Sequence, residues 1–316
     1  MTLKICLAVI ITLLLVLIIA SIFVGNFFYN LAINPNSSKK MIFSNDGLSH
    51  HELTPEEEWL EKSSKFEEVF ATSFDNLKLH GYKIKNNSSK WAITVHGYTN
   101  NAEYMSPYAY KYYTLGYNLL MPDLRGHGKS EGNYIGMGWH DRLDILKWIE
   151  FILKEDKEAE ILLHGVSMGA ATVMMVSGED LPPNVKVIIE DCGYTSAKNQ
   201  LSYKLKSMFK LPSFPFINLC SLICKIKANY FISEASALKQ AEKSKVPILF
   251  IHGDKDKFVP FYMLNKLYDA CKAPKDKLIV KEAGHAKSEK IATDIYWDKV
   301  INFINKYILR APPHQV

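Results

Sequence analysis

Uninterrupted apolar runs recur at regular intervals through most of the chain. They occupy residues 91–97, 117–123, 160–166, 185–191, 246–253 and 276–283. Runs of this length without alternation are typical of strands that are buried on both faces. Segments with helical periodicity lie between most of them, for example residues 141–156, and another such segment, 295–309, follows the last run. Strands that alternate with helices predict a mainly parallel sheet with helices on both faces.

Two earlier segments, 66–74 and 77–85, show instead the alternation of half-exposed strands. They are joined by Asp75-Asn76, a pair that tolerates a tight hairpin turn. The pattern therefore predicts an antiparallel hairpin at one edge of the sheet. One catalytic domain, residues 63–316, accounts for all of these elements.

Residues 192–238 interrupt the regular alternation of strands and helices. This insertion contains Pro212 and Pro215 and has the pattern of two or three short helices. We interpret it as a lid or cap.

The N-terminal segment differs from the rest of the chain. Residues 5–38 contain no charged side chain, and the apolar run 5–28 exceeds the roughly 20 residues that a helix needs to cross a bilayer. A cleaved secretory signal is the alternative, but the run is long for one and no A-x-A cleavage site follows. The sequence favours a transmembrane signal anchor over residues 1–30, followed by a polar tether and a short helix over residues 31–62.

The orientation of this anchor is only weakly encoded. Lys4 and the amino terminus lie on one side, and Lys39 and Lys40 lie farther from the apolar run on the other. We expect the amino terminus inside the cell and the catalytic domain outside it, at the cell membrane.

Composition narrows the range of functions. The chain is 48% hydrophobic and 22% charged, as globular domains are, and its net charge of +5 is spread along the sequence. This distribution does not predict nucleic-acid binding. The five cysteines form no C-x-x-C pair and have no metal-ligand spacing with histidine, so neither a metal nor another cofactor is expected.

The stretch "LLHGVSMGAA", residues 162–171, carries the first candidate for chemistry. Ser167 stands between Gly165 and Gly169, where a buried strand ends and a helix of small residues begins. A strand–turn–helix corner of this kind exposes a nucleophile, and the glycines let strand and helix pass closely. The free N–H groups at the helix start favour developing negative charge.

A serine nucleophile needs a base and an orienting carboxylate, which follow in the order acid, then histidine, on such a corner. Three histidines follow Ser167 after a plausible strand. We select the one in the loop after the last strand because it lies at the carboxyl edge of the sheet. The candidates are His252, His285 and His314, of which we select His285.

The acid is predicted in "HGDKDKFVP", directly after the strand 246–251. Asp256 is favoured because it lies beyond the turn and nearer the histidine loop, whereas Asp254 also suits a turn or capping role. Asp191, at the end of the preceding strand, remains an outside candidate.

The motifs "VHGYTNN", "DLRGHGKSEG", "HGVSMGA", "HGDKDKFVP" and "AGHAKS" occur in this order. With them the chain resembles the α/β-hydrolase superfamily over roughly residues 65–310. Within it, the chain is similar to bacterial membrane-anchored or secreted esterase-like hydrolases related to cinnamoyl esterases and the Bem46-like group. The resemblance implies the α/β-hydrolase fold, with Ser167 as nucleophile, Asp256 as acid and His285 as base. It also implies an oxyanion hole made by the backbone N–H groups of Met168 and Tyr98, although Tyr98 departs from the HGGG pattern of lipases.

We therefore expect a serine hydrolase that cleaves carboxylic esters of small-molecule or acyl substrates through an acyl-enzyme. Amidase or peptidase, lysophospholipase and acyltransferase activities would use the same triad. A membrane-tethered scaffold without catalysis is the alternative from another class, and it would have no need to keep all three side chains.

The predicted lid also has an unusual charge pattern. Residues 192–233 contain no Asp or Glu but include several lysines and aromatic residues. Such a surface could rest on anionic lipid. The alternative is that the aromatic residues pack over the pocket and the lysines are solvated. The sequence leaves both open.

Overall fold

The computed structural model describes residues 2–42, 54–63 and 65–308. Part of the predicted tether (residues 43–53) and His314 lie outside the described residues.

The centre of the molecule is an eight-stranded sheet. In sequence order its strands are β1 (Phe66–Thr72), β2 (Lys78–Ile84), β3 (Lys90–Val95), β4 (Asn118–Pro122), β5 (Glu160–Val166), β6 (Val185–Asp191), β7 (Ile248–Gly253) and β8 (Lys275–Val280). Their spatial order is β1-β2-β4-β3-β5-β6-β7-β8. β2 runs antiparallel to both of its neighbours, β1 and β4, and all the other pairs of neighbouring strands are parallel. The predicted fold class, a mainly parallel sheet with an antiparallel edge hairpin, is confirmed.

The described residues form eleven α-helices. They are α1 (Thr2–Ala32), α2 (Pro55–Glu58), α3 (Ser106–Thr114), α4 (Asp141–Glu155), α5 (Met168–Val176), α6 (Ala197–Phe209), α7 (Phe216–Ala228), α8 (Ala237–Ala241), α9 (Tyr262–Ala270), α10 (Ser288–Ile291) and α11 (Thr293–Ile304). A π-helical turn, Trp59–Ser63, continues α2, and a 3₁₀ turn, Ala102–Met105, precedes α3.

Side chains of the sheet alternate between two apolar layers. Leu163 belongs to the layer that contains Trp148 of α4, whereas its neighbour Leu162 belongs to the layer that contains Tyr112 of α3 and Trp297 of α11. Helices therefore cover both faces, as continuous apolar strands require. The strands are held rigidly between two cores, so the loops at their carboxyl ends have fixed positions.

The strand boundaries differ from the sequence prediction for local reasons. β7 begins at Ile248 because Pro247 lacks the N–H that a strand residue donates to the neighbouring strand. The Pro247 carbonyl still accepts a hydrogen bond from Ile188 N. β8 ends at Val280, because Glu282 takes the left-handed conformation (φ 60°) that turns the chain away.

The N-terminal helix α1 is longer than the predicted anchor. Within the part of the chain that the structure describes, Leu3–Ala32 is the one helix long and apolar enough to cross a membrane, with a mean hydropathy of 3.3. Residues 3–20 are exposed along their whole length, but Phe28, Tyr29, Ala32 and Ile33 are buried against the domain. The end of the helix is therefore part of the domain's packing and does not begin a free tether.

Two helices of the predicted lid, α6 and α7, lie between β6 and β7, and α8 follows them. α7 packs along α1, and Phe209 at the end of α6 contacts Phe28 of α1. The insertion and the N-terminal helix thus form one packed unit.

Candidate active site

Ser167 occupies the corner between β5 and α5. Its backbone has φ 58° and ψ −114°, a strained region for a residue with a side chain. The flanking glycines make the corner possible. A Cβ at Gly165 would lie 2.2 Å from the Gly169 carbonyl oxygen, and a Cβ at Gly169 would lie 2.0 Å from the Val95 carbonyl oxygen.

The structure brings Ser167, His285 and Asp256 together. Ser167 Oγ lies 2.8 Å from His285 Nε2, and His285 Nδ1 lies 2.7 Å from Asp256 Oδ2. A carboxylate only accepts, so Nδ1 donates to Asp256 and Nε2 is left to accept the serine hydroxyl. These three residues come from the ends of β5, β7 and β8, which meet at one edge of the sheet.

Asp256 is held by several donors. Its Oδ1 accepts the backbone N–H groups of Phe258 (2.8 Å) and Val259 (2.9 Å), and its Oδ2 lies 3.2 Å from His252 Nε2. Burial alone would raise the pKa of Asp256, but the hydrogen bonds and charges of His252 and His285 outweigh it and hold that pKa well below its usual range. The carboxylate therefore stays ionised beside His285.

The competing acids have other partners. Asp254 Oδ1 accepts the backbone N–H of Glu282 at 2.8 Å and so ties the loop after β7 to the loop after β8. Asp191 contributes its backbone carbonyl, which accepts the Ser167 N–H at 2.8 Å, and burial raises the pKa of its carboxyl to about 6.

The other candidate bases are also accounted for. His252 Nε2 lies 3.0 Å from the Val259 carbonyl oxygen and 3.2 Å from Asp256 Oδ2. His314 lies outside the described residues.

The loop after β3 lies directly beside the nucleophile. β3 and β5 pair in parallel with Val95 opposite Gly165, and a Cβ at Gly97 would lie 3.3 Å from Ser167 Cβ. Tyr98 follows Gly97, and Met168 begins α5 immediately after the serine. The two residues predicted to form an oxyanion hole therefore flank Ser167.

Four further polar side chains hold neighbouring elements together: two brace the loops after β3 and β4, one joins β5 to α3 and α11, and one joins the loop after β4 to α4. His96 accepts the Leu124 N–H, His127 accepts the Thr99 N–H, and His164 lies between two tyrosine hydroxyls. Arg125 makes a bidentate pair with Asp144, both distances being 2.7 Å. Burial lowers the pKa of His96 and of His164 to about 3, so both rings are neutral.

Cys192 lies close to two members of the site. Its sulfur and ligand atoms of Asp256 and His285 all lie within 4.8 Å of one another. A metal needs the thiolate, yet burial raises the pKa of the Cys192 thiol well above its usual value. Because Asp256 and His285 already bind each other, the arrangement suits a neutral thiol packed beside a hydrogen-bonded pair.

A pocket opens at Ser167 and encloses about 740 Å³ including its mouth. The pocket is lined by Phe28, Leu31, Ala32, Ile42, Tyr98, Met137, Ser167, Met168, Tyr194, Gln200, Leu201, Lys204, Leu205, Met208, Phe209, Ile217, Cys220, Phe258 and Val259.

Three of these residues, Phe28, Leu31 and Ala32, belong to α1, and the sequence pattern does not predict them as part of the site. The available signal was weak: the apolar run continues through Phe27, Phe28 and Tyr29 past the length that a bilayer needs. Such an excess is compatible with tilt as well as with docking.

Comparison with known proteins agrees with this fold. The sequence model of the family "Hydrolase_4: Serine aminopeptidase, S33" matches residues 87–216. The chain is 28% identical to the uncharacterized protein YqkD of Bacillus subtilis, over 76% of this chain and 81% of that protein. It is 23% identical to the protein bem46 of Schizosaccharomyces pombe, over 69% of each.

Among solved structures, the esterase Pf2001 of Pyrococcus furiosus superposes with a TM-score of 0.66 at 24% identity, covering 83% of this chain and 97% of that one. The chain has the α/β-hydrolase fold, and over residues 87–216 it is similar to a family of serine hydrolases.

Proposed function

We propose that the protein hydrolyses carboxylic esters through a Ser167–His285–Asp256 triad. The observation that carries this proposal is the unbroken chain of short hydrogen bonds from Ser167 Oγ through the imidazole to the buried carboxylate. A strained nucleophile corner at the mouth of an apolar pocket supports it.

In the acylation step, His285 Nε2 takes the hydroxyl proton while Ser167 Oγ attacks the ester carbonyl carbon. The N–H groups of Met168 and Tyr98 hold the oxyanion that forms. The tetrahedral species collapses, the bond to the alcohol oxygen breaks, and His285 returns the proton to the departing alcohol. Water then repeats the sequence on the acyl-enzyme, so that the acid leaves and Ser167 regains its proton.

The pocket favours an acyl ester over a peptide with a free amino terminus. An aminopeptidase needs a carboxylate to pair with the substrate ammonium. The described residues that line the pocket include no Asp or Glu, and one of them, Lys204, is itself a cation. The lysophospholipase and acyltransferase alternatives are compatible with this lining.

We also propose that α1 remains attached and anchors the enzyme in the cell membrane, with the catalytic domain on the extracytoplasmic side. Its length and composition support the anchor. The orientation rests on the weak asymmetry between Lys4 and the pair Lys39 and Lys40.

A panel of substrates tests the reaction class. The purified full-length chain should hydrolyse p-nitrophenyl acyl esters faster than aminoacyl p-nitroanilides, and Ser167→Ala should remove the ester activity. Faster cleavage of the anilides would favour the peptidase alternative. Undiminished ester hydrolysis by Ser167→Ala would contradict the triad.

A further inference from the structure

The last turns of α1 pack tightly against the lid. At Gly25 the two helices approach so closely that a Cβ would lie 2.8 Å from Ile223 Cγ1 and 2.9 Å from the Leu219 carbonyl oxygen. One turn later, the ring of Phe28 meets those of Phe209 and Phe216 edge to face, with centroids 5.8 and 5.7 Å away. This is the packing of a domain core, and α1 is fixed relative to α7.

The carboxyl end of α1 is also bonded to the active-site loops. Tyr98, which flanks the nucleophile, donates its hydroxyl to the Ala32 carbonyl oxygen at 2.8 Å, and Ile135 N donates to the Ile33 carbonyl at 2.7 Å. Lys39 Nζ caps the helix by donating to the carbonyls of residues 30, 31 and 34 at 2.7 to 3.1 Å. The end of α1 and the loop after β3 are therefore held in fixed positions relative to each other.

Because of this docking, α1 supplies part of the pocket surface. Phe28, Leu31 and Ala32 face the same cavity as Ser167 and Met168. The side chains that α1, α6 and α7 contribute to this cavity are mainly aliphatic or aromatic. A cavity of this kind stabilises an apolar chain and offers few partners to a polar acyl group.

The position of α1 relates the pocket to the bilayer. An α-helix rises 1.5 Å per residue, so about 20 residues cross the hydrocarbon core of a bilayer. A span that begins at Leu3 therefore ends near Ile22. The docked part of α1 begins just after this point. On the lid beside it, Phe214, Leu222 and Ile226 expose 73%, 51% and 71% of their surface. The pocket thus lies next to the point where α1 leaves the membrane.

We propose that α1 is a wall of the acyl-binding pocket as well as an anchor, and that the substrate is an ester with an apolar acyl chain. The chain lies against Leu31 and Phe28 while its carbonyl carbon sits at Ser167. This inference rests on the proposed ester hydrolysis, and it adds the substrate class and the part played by the N-terminal helix.

The role of α1 as a pocket wall can be tested with two alkyl fluorophosphonates, one ethyl and one dodecyl. Their rates of labelling are measured on the full-length chain in detergent. Leu31→Trp fills the pocket, so the dodecyl-to-ethyl ratio of labelling rates should fall by about tenfold, as expected when a few methylenes lose their site. Leu17→Trp makes the same change in the same helix at an exposed position and should keep the wild-type ratio.

A wild-type ratio in a folded Leu31→Trp protein would overturn the inference. If Leu31→Trp does not fold, Leu31→Ala takes its place. It widens the pocket without adding bulk and should change the ratio, whereas an unchanged ratio would again contradict the wall. Failure of the wild-type chain to react with either probe would instead contradict the proposed triad.

The acyl ester could reach the pocket from the bilayer or from water. Two experiments distinguish these sources. In one, the dodecanoyl ester is in the same vesicles as the enzyme. In the other, it is in separate vesicles that are mixed with the enzyme vesicles. Faster hydrolysis in the shared vesicles indicates entry from the bilayer, as the position of the pocket predicts. Equal rates would overturn that route of entry.

Discussion

At the scale of single residues, Asp256 and Asp254 differ by two positions and have different partners. Asp256 touches His285, whereas Asp254 joins two loops. We expect Asp256→Asn to reduce kcat by about 10³- to 10⁴-fold, because the amide no longer fixes the histidine tautomer. Asp254→Asn keeps the oxygen that accepts the Glu282 N–H and should stay near wild type. Steady-state hydrolysis of one p-nitrophenyl ester ranks the two, and the reverse ranking would make Asp254 the acid.

Glu190 provides a pH-dependent prediction. Burial raises the pKa of its carboxyl from 4.5 to about 8, despite the opposing effects of His252 and the Gly193 N–H. Between these pH values the folded state binds more protons than the unfolded state, so the contribution of Glu190 to stability falls as pH rises. Glu190→Gln does not titrate. Its free energy of unfolding relative to wild type should therefore increase from pH 4.5 to 8.

Urea unfolding of both proteins at several pH values measures this difference. The neighbouring Asp191 is present in both, so its titration largely cancels. A difference that stays constant across the interval would show that Glu190 is ionised in the folded protein.

The sequence predicts the serine corner well, because only glycine fits at positions 165 and 169 and the surrounding pattern defines the strand and the helix. It identifies the acid less sharply. Asp191, Asp254 and Asp256 all follow strands that end at the same edge of the sheet, and only the path of the loop decides which one faces His285.

At the scale of elements, the contact between α1 and α7 depends on the absence of a side chain at Gly25. Gly25→Val should destabilise the protein by about 1–3 kcal/mol through overpacking. Valine has the higher helix propensity, so a loss of stability must come from the contact itself. Ala20→Val introduces the same residue at an exposed position of α1 and should have little effect.

Thermal unfolding in detergent measures both variants. A Tm for Gly25→Val equal to that of Ala20→Val would show that α1 and α7 are not packed as described.

Strands were predictable at this scale because burial on both faces leaves a continuous apolar run. The docking of α1 onto the lid was not predictable, because a helix in lipid and a helix packed against protein both present apolar side chains. The predicted polar tether from residue 31 likewise overlooked the burial of Ile33, because Leu31, Ala32 and Ile33 continue the apolar stretch of the predicted anchor.

At the scale of the whole molecule, we expect the N-terminal helix to be retained. Cleavage between about residues 20 and 35 would remove the anchor, and cleavage beyond residue 31 would also remove Phe28 and Leu31 from the pocket. Mass spectrometry of the membrane-bound protein should therefore find peptides from residues 5–28. A mature amino terminus within that interval would identify a cleaved signal instead.

Contact between the lid and the membrane stays a prediction. Lys204 lines the pocket and lies over the ring of Phe258 at 4.1 Å, so it is poorly placed to test lipid binding. The exposed apolar side chains of α7 are better placed, since they lie beside the end of the predicted span.

The role of Ser167 as the nucleophile is tested most directly by the site at which a fluorophosphonate probe reacts. Incubation of the folded full-length chain, followed by intact mass and peptide mapping, should show one adduct, on Ser167, and none in Ser167→Ala. A non-catalytic scaffold would remain unmodified. Absence of the adduct from folded wild-type protein, or an equal adduct in Ser167→Ala, would contradict the assignment of Ser167 as the nucleophile.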